Sequence, residues 1–102
     1  MAPSGPAPLA LDLYTKPDCP LCDEACDALA RVRARLSGVP LVVRSRDIRT
    51  DPAWSAAYGN LIPVLEMDGE RLCVYRVDER QLAKRLAEAW TARVNEIAEA
   101  AT

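Results

Sequence analysis

The stretch Cys19-Pro20-Leu21-Cys22 constrains this chain more than any other. It stands where an apolar run, Leu9 to Thr15, gives way to a long helical pattern starting at Leu21. Two cysteines at this spacing let their sulfurs meet within one helical turn, so the pair reads as a dithiol/disulfide redox centre. The first sulfur sits at a helix N-terminus, where amides without intrahelical partners and the helix dipole favour a thiolate. A proline at the first helical position loses no needed donor, which makes Cys19 the N-cap and Pro20 the first helical residue.

The rest of the chain supplies a sheet to carry this junction. In Leu9 to Thr15, Leu9, Leu11 and Leu13 fall on one face and Ala10, Asp12 and Tyr14 on the other. From Leu21 to Ser37 a stripe of Leu21, Ala25, Leu29, Val32 and Leu36 predicts a helix, ended by Ser37-Gly38. A short strand follows at Leu41 to Arg44. Asp51-Pro52 opens a second, short helix that closes at Gly59, with Trp54 and Tyr58 on its buried face. Pro63 to Met67 and Arg71 to Tyr75 form a hairpin turning at Asp68-Gly69. The last helix starts at Asp78, with Gln81 completing a capping box and a stripe of Leu82, Leu86, Trp90, Val94 and Ile97.

The order is β-α-β-α-β-β-α. A strand-helix-strand unit implies a parallel pair with a right-handed crossover, and the hairpin adds two antiparallel strands. The expectation is an α/β fold, a four-stranded mixed sheet flanked by three helices. The chemistry then lies at the carboxyl edge of the sheet. Residues 1–8 read as a disordered lead-in and 9–102 as one domain, a size that builds its own core.

At this point the chain resembles the glutaredoxin-like branch of the thioredoxin-fold superfamily. The residues that carry the resemblance are Leu13-Tyr14-Thr15-Lys16-Pro17-Asp18-Cys19-Pro20-Leu21-Cys22 and Ile62-Pro63-Val64-Leu65. It implies a thiol–disulfide oxidoreductase in which Cys19 attacks a disulfide and Cys22 resolves the mixed disulfide. It also implies a cis bond at Ile62-Pro63 facing the pair, with Ile62 offering backbone hydrogen bonds to a bound peptide or thiol. Lys16 matches a lysine that contacts a glutathione carboxylate, so Lys16, Pro20, Leu21, Ile62 and Pro63 make up the expected thiol-binding surface. Glutaredoxins usually carry an aromatic residue inside the pair and a glycine pair before the last helix. Here Leu21 and Arg76-Val77-Asp78 stand in those places. No bound cofactor is expected. The candidate reductants are glutathione and the thioredoxin system, and the substrates are disulfide-bearing proteins or small thiols.

Charge and cysteine usage narrow the function further. The net charge is −2 and no histidine is present, so activation must come from dipoles and nearby charged side chains. The helix end and Lys16 favour a Cys19 thiolate, while Asp18, Asp23, Glu24 and Asp27 oppose it. A Cys19 pKa in the upper part of roughly 3.5–7.5 is therefore expected. Cys26 reads as a half-buried helix residue rather than a second resolving thiol, and Cys73 as a buried strand residue. A metal site built from all four cysteines matches no common zinc spacing, so metal binding, whether zinc or an iron–sulfur cluster, is the alternative. A third reading is an adaptor without catalysis. Asp12 reads as a partly solvated carboxylate.

The arginines at 31, 33, 35, 44, 46 and 49 lack interleaved aromatics and read as a solvated face, so nucleic acid is not expected. No run of about 18 apolar residues suggests a membrane span, and residues 1–8 do not read as a signal peptide. A cytoplasmic location is the default. The last helix, at 1.5 Å per residue, would run about 35 Å. Its distal apolar residues cap the fold's own core or meet a second copy, and the reading leans to a monomer.

Overall fold

The computed structural model describes residues 6–100. Its elements are β1 (Leu9–Thr15), α1 (Pro20–Arg35), β2 (Leu41–Asp47), one 3₁₀ turn (Ile48–Thr50), α2 (Pro52–Tyr58), β3 (Val64–Met67), β4 (Glu70–Val74) and α3 (Glu79–Ala100). The four strands form one sheet in the order β2-β1-β3-β4. β1 runs parallel to β2 and antiparallel to β3, and β3 pairs antiparallel with β4. The expected mixed sheet and three helices are present.

Alternation along β1 sorts the molecule into two layers. Leu9, Leu11 and Leu13 are buried with Leu41 and Leu65, under Leu29 and Val32 of α1 and Leu82 and Leu86 of α3. This is the main core. The opposite face carries Tyr14 and Val64, joined by Cys22, Ile48 and Ile62 and covered in part by Trp54 and Tyr58 of α2. Tyr14 stacks on Tyr58 at 4.2 Å and meets Trp54 edge-on at 5.6 Å. No residue of α2 is fully buried, so the buried face expected for Trp54 and Tyr58 is a half-buried one.

β2 extends past the expected Arg44 to Asp47, because every residue of β1 pairs with it, from Leu9 opposite Leu41 to Thr15 opposite Asp47. Its polar half, Arg44-Ser45-Arg46, lies on an edge strand and leaves no apolar signature. α1 stops at Arg35 rather than Ser37, where the Leu36 amide folds back onto the carbonyls of Val32 and Arg33. Within α1, Cys22 and Ala28 are buried, whereas Leu21 and Leu36 are only half-buried. The hairpin turns through Asp68 and Gly69 with φ of 52° and 81°. Two successive left-handed residues make the primed turn that suits strand twist.

The Gln81 amide donates to Asp78 Oδ1 at 3.1 Å, so Asp78 caps α3 as expected. Beyond Leu86, half-buried Ala89 and Trp90 still pack against the main core, and the helix leaves it after them. Val94 and Ile97 are 39% and 45% exposed, so they do not cap the fold's own core. Of the lead-in, residues 1–5 lie outside the described residues, as do 101–102. The carbonyls of Ala7 and Pro8 accept hydrogen bonds from Arg93. Among the described residues no helix is long and apolar enough to cross a membrane.

Candidate active site

The loop from Lys16 to Cys19 leaves the carboxyl end of β1 and turns into α1. Asp18 takes a left-handed φ of 58°, a conformation aspartate tolerates better than most residues. That turn delivers Cys19 as N-cap and Pro20 at the first helical position. The Cys19 carbonyl accepts the amides of Cys22 and Asp23 at 3.0 and 3.1 Å. The Cys22 amide also lies 3.2 Å from Cys19 Sγ. One helix end thus satisfies its first donors with the carbonyl and the sulfur of one residue.

Cys19 and Cys22 are joined as a disulfide with Cα atoms 5.2 Å apart. The two sulfurs occupy different environments. Cys22 is 3% exposed and packs with Tyr14, Ile48, Ile62 and Val64, while Cys19 is half-buried at the margin of that cluster. The outer sulfur belongs to a residue that solvent reaches in part; the inner one belongs to a residue shielded from it.

Ile62-Pro63 is a cis peptide, and both residues are buried. Ile62 shares a cluster with Cys22, so the segment before β3 lies beside the pair. The Ile62 amide already donates to the Tyr58 carbonyl at 3.1 Å, so half of its expected backbone offer is engaged within the fold. Lys16 is exposed at the end of β1 and makes no hydrogen bond or ion pair among the described residues. Pro20 is exposed and Leu21 half-buried.

Leu21 opens onto a groove of about 340 Å³ between α1 and the segment after β4. Ala25, Ala28 and Val77 line it with Leu21, and Tyr75 forms a wall. Two ion pairs border it. Arg31 holds Glu79 through hydrogen bonds of 3.0 to 3.2 Å, and that contact lowers the Glu79 carboxyl below its ordinary value. Arg76 lies 4.0 Å from Glu24 across open solvent, a contact of little energetic weight.

Tyr75 escaped the sequence reading, which placed it inside the last strand. It lies one residue beyond β4 with φ of 68°. Alternation continued one position too far there; the apolar pattern carries no signal that the chain turns.

The remaining candidates lie elsewhere. Asp12 is gripped by Arg44 and Arg46 at 3.0 and 3.2 Å, and its side chain is 18% exposed. Arg49 pairs with Asp47 at 2.8 Å, so much of the arginine-rich segment is neutralised locally. Cys26 is exposed, not half-buried, because its position on α1 faces the edge strand β2, whose polar Ser45 gives little cover. Its thiol is raised above the ordinary value by burial first, then by Asp23 and Asp27. Cys73 lies half-buried on β4 against the main core, and burial raises its thiol too. Among the described residues no three His, Cys, Asp or Glu side chains converge as a metal site.

The glutaredoxin-like domain family (DUF836) matches residues 10–87 of this chain. The solved structure of XcR50 from X. campestris, a structural genomics target, is 36% identical, with 76% of this chain and 96% of that one covered and a TM-score of 0.63. Protein Ne2328 from Nitrosomonas europaea is 23% identical, with 82% and 98% covered and a TM-score of 0.62. A mutant thioredoxin from Halobacterium salinarum is 23% identical, with 81% and 74% covered and a TM-score of 0.54. The fold is thioredoxin-like.

Proposed function

This chain belongs to the glutaredoxin-like domain family (DUF836), and from that membership we propose that it is a thiol–disulfide oxidoreductase working through Cys19 and Cys22. The observation that carries the reading is the asymmetry of the pair. Cys19 is the outer sulfur at a helix N-terminus, 3.2 Å from a backbone amide, and Cys22 is the shielded one. A donor aimed at sulfur favours its anion.

In the reduced protein, the Cys19 thiolate attacks one sulfur of a substrate disulfide. The substrate S–S bond breaks, a mixed disulfide forms, and the other substrate sulfur leaves as a thiolate that takes a proton from water. Cys22 then loses its proton and attacks Cys19 Sγ. The mixed disulfide breaks, the second substrate thiol departs, and the Cys19–Cys22 disulfide remains. Two electrons have passed from the pair to the substrate. An external thiol reductant, glutathione or the thioredoxin system, returns them. In this scheme Lys16 presents a positive charge to a substrate carboxylate, and Pro20, Leu21, Ile62 and Pro63 form the surface on which the reacting chain lies. A pair that must be re-reduced suits a cytoplasmic setting.

The test is reduction of insulin disulfides in dithiothreitol. The wild type is expected to accelerate it, Cys19→Ser to fall to the uncatalysed rate, and Cys22→Ser to accumulate a mixed disulfide visible by mass. Turnover that persists unchanged in Cys19→Ser would overturn the assignment and leave the adaptor reading. A redox titration of the pair in glutathione and in thioredoxin buffers then identifies the donor.

A further inference from the structure

Tyr75 is a bulky residue held at φ 68°, in the left-handed region that such side chains rarely adopt. Two hydrogen bonds keep it there. Its amide donates to the Pro63 carbonyl at 2.9 Å and its hydroxyl donates to the Asn60 carbonyl at 2.6 Å. Those two carbonyls bracket Leu61-Ile62. From the other side, the amides of Leu61 and Ile62 donate to the Tyr58 carbonyl at 2.8 and 3.1 Å. The four-residue approach to β3 is therefore tied at its donors to the end of α2 and at its carbonyls to one side chain and its backbone. The Ile62 carbonyl makes no hydrogen bond among the described residues. Tyr75 is also 47% exposed, and its ring walls the groove that Leu21 opens onto. An exposed tyrosine in a strained conformation contributes little to a core; both of its hydrogen bonds go to the approach to β3.

We propose that Tyr75 is a positioning residue of the exchange site. By stapling Asn60 and Pro63 it fixes the main chain of Ile62 beside Cys22, so that a substrate's peptide backbone meets a preset acceptor. The proposal rests on the redox reading above. It concerns substrates that carry amides next to their disulfide, and not the reactivity of the sulfurs. The loop would otherwise have to be ordered by each substrate as it bound, which weakens binding without changing the chemical step.

The experiment compares wild type, Tyr75→Phe and Tyr75→Gly with two substrates, insulin and bis(2-hydroxyethyl) disulfide, which has no amide. Tyr75→Phe keeps the ring and loses the Asn60 contact. Tyr75→Gly keeps the amide contact and relaxes φ, so both variants are expected to fold. Loss of one hydrogen bond that orders the loop should raise KM for insulin about three- to tenfold, with kcat held. KM for bis(2-hydroxyethyl) disulfide and the midpoint potential of the pair should stay at the wild-type values. The proposal is overturned if KM for insulin stays within about twofold of wild type, or if both substrates shift together. Cys19→Ser is run alongside. If wild-type turnover does not depend on Cys19, the redox reading and the staple fall together; if it does and KM fails to move, the staple alone falls.

Discussion

The Tyr58 phenol donates to Glu66 Oε2 at 2.9 Å on the face of the sheet that α2 covers in part. Burial, and then the Glu66 carboxylate, push its ionisation from 10.0 up to about 12. A group whose folded pKa is raised stabilises the fold fully below its unfolded value, and that contribution is lost as pH rises through the folded one. The window here runs from pH 10 to about 12. Urea unfolding midpoints taken across it should fall in the wild type, and the fall should be smaller in Tyr58→Phe. At pH 7 that variant should itself be less stable by about 1–3 kcal/mol, because the buried Glu66 carboxylate loses this donor.

Among the elements, α2 depends most on its ends. It buries no side chain completely, so packing alone does not hold it. Asp51 caps it by accepting the Ala53 amide at 2.8 Å, and Pro52 fixes the first helical φ. At the far end, a Cβ on Gly59 would sit 2.6 Å from the Ser55 carbonyl oxygen, so glycine is required by close approach of backbone. The last turn matters beyond α2 itself, because the Tyr58 carbonyl receives the amides of Leu61 and Ile62. Asp51→Ala should cost about 0.5–2 kcal/mol in urea unfolding. It should also speed hydrogen exchange at the Leu61 and Ile62 amides ahead of those in β1.

The whole molecule is lopsided. The main core lies on the α1 and α3 face, and the described residues span 48 × 27 × 22 Å. The fully buried residues of α3 are Leu82, Ala83 and Leu86, all in its first half and within the span that matches the family. Past them the helix carries half-buried Trp90, exposed Val94 and Ile97, and Arg93, which ties down Ala7 and Pro8. Leu86→Ala should therefore cost about 2–5 kcal/mol by chemical denaturation. A chain ending at Ala89 should lose less than that and keep its rate of insulin reduction.

What the amino-acid order determined alone is local. β1 ran as read from Leu9 to Thr15, Cys19, Asp51 and Asp78 capped their helices, and Asp68-Gly69 turned the hairpin. Caps, turns and two-residue alternation are settled between near neighbours, so their signal is in the chain itself. Tertiary structure decided what depends on distant partners. The polar half of β2 became strand because β1 lay alongside it. Cys22 turned inward and Cys19 stayed at the margin because Ile62 and Val64 arrive from a segment some forty residues away. The β3–β4 ladder stopped short of Tyr75 because its opposite residue in register, Pro63, accepts the Tyr75 amide but has no N–H to return. Each of these is a balance between groups that only the folded sheet brings within bonding distance, and no periodicity in the sequence encodes it.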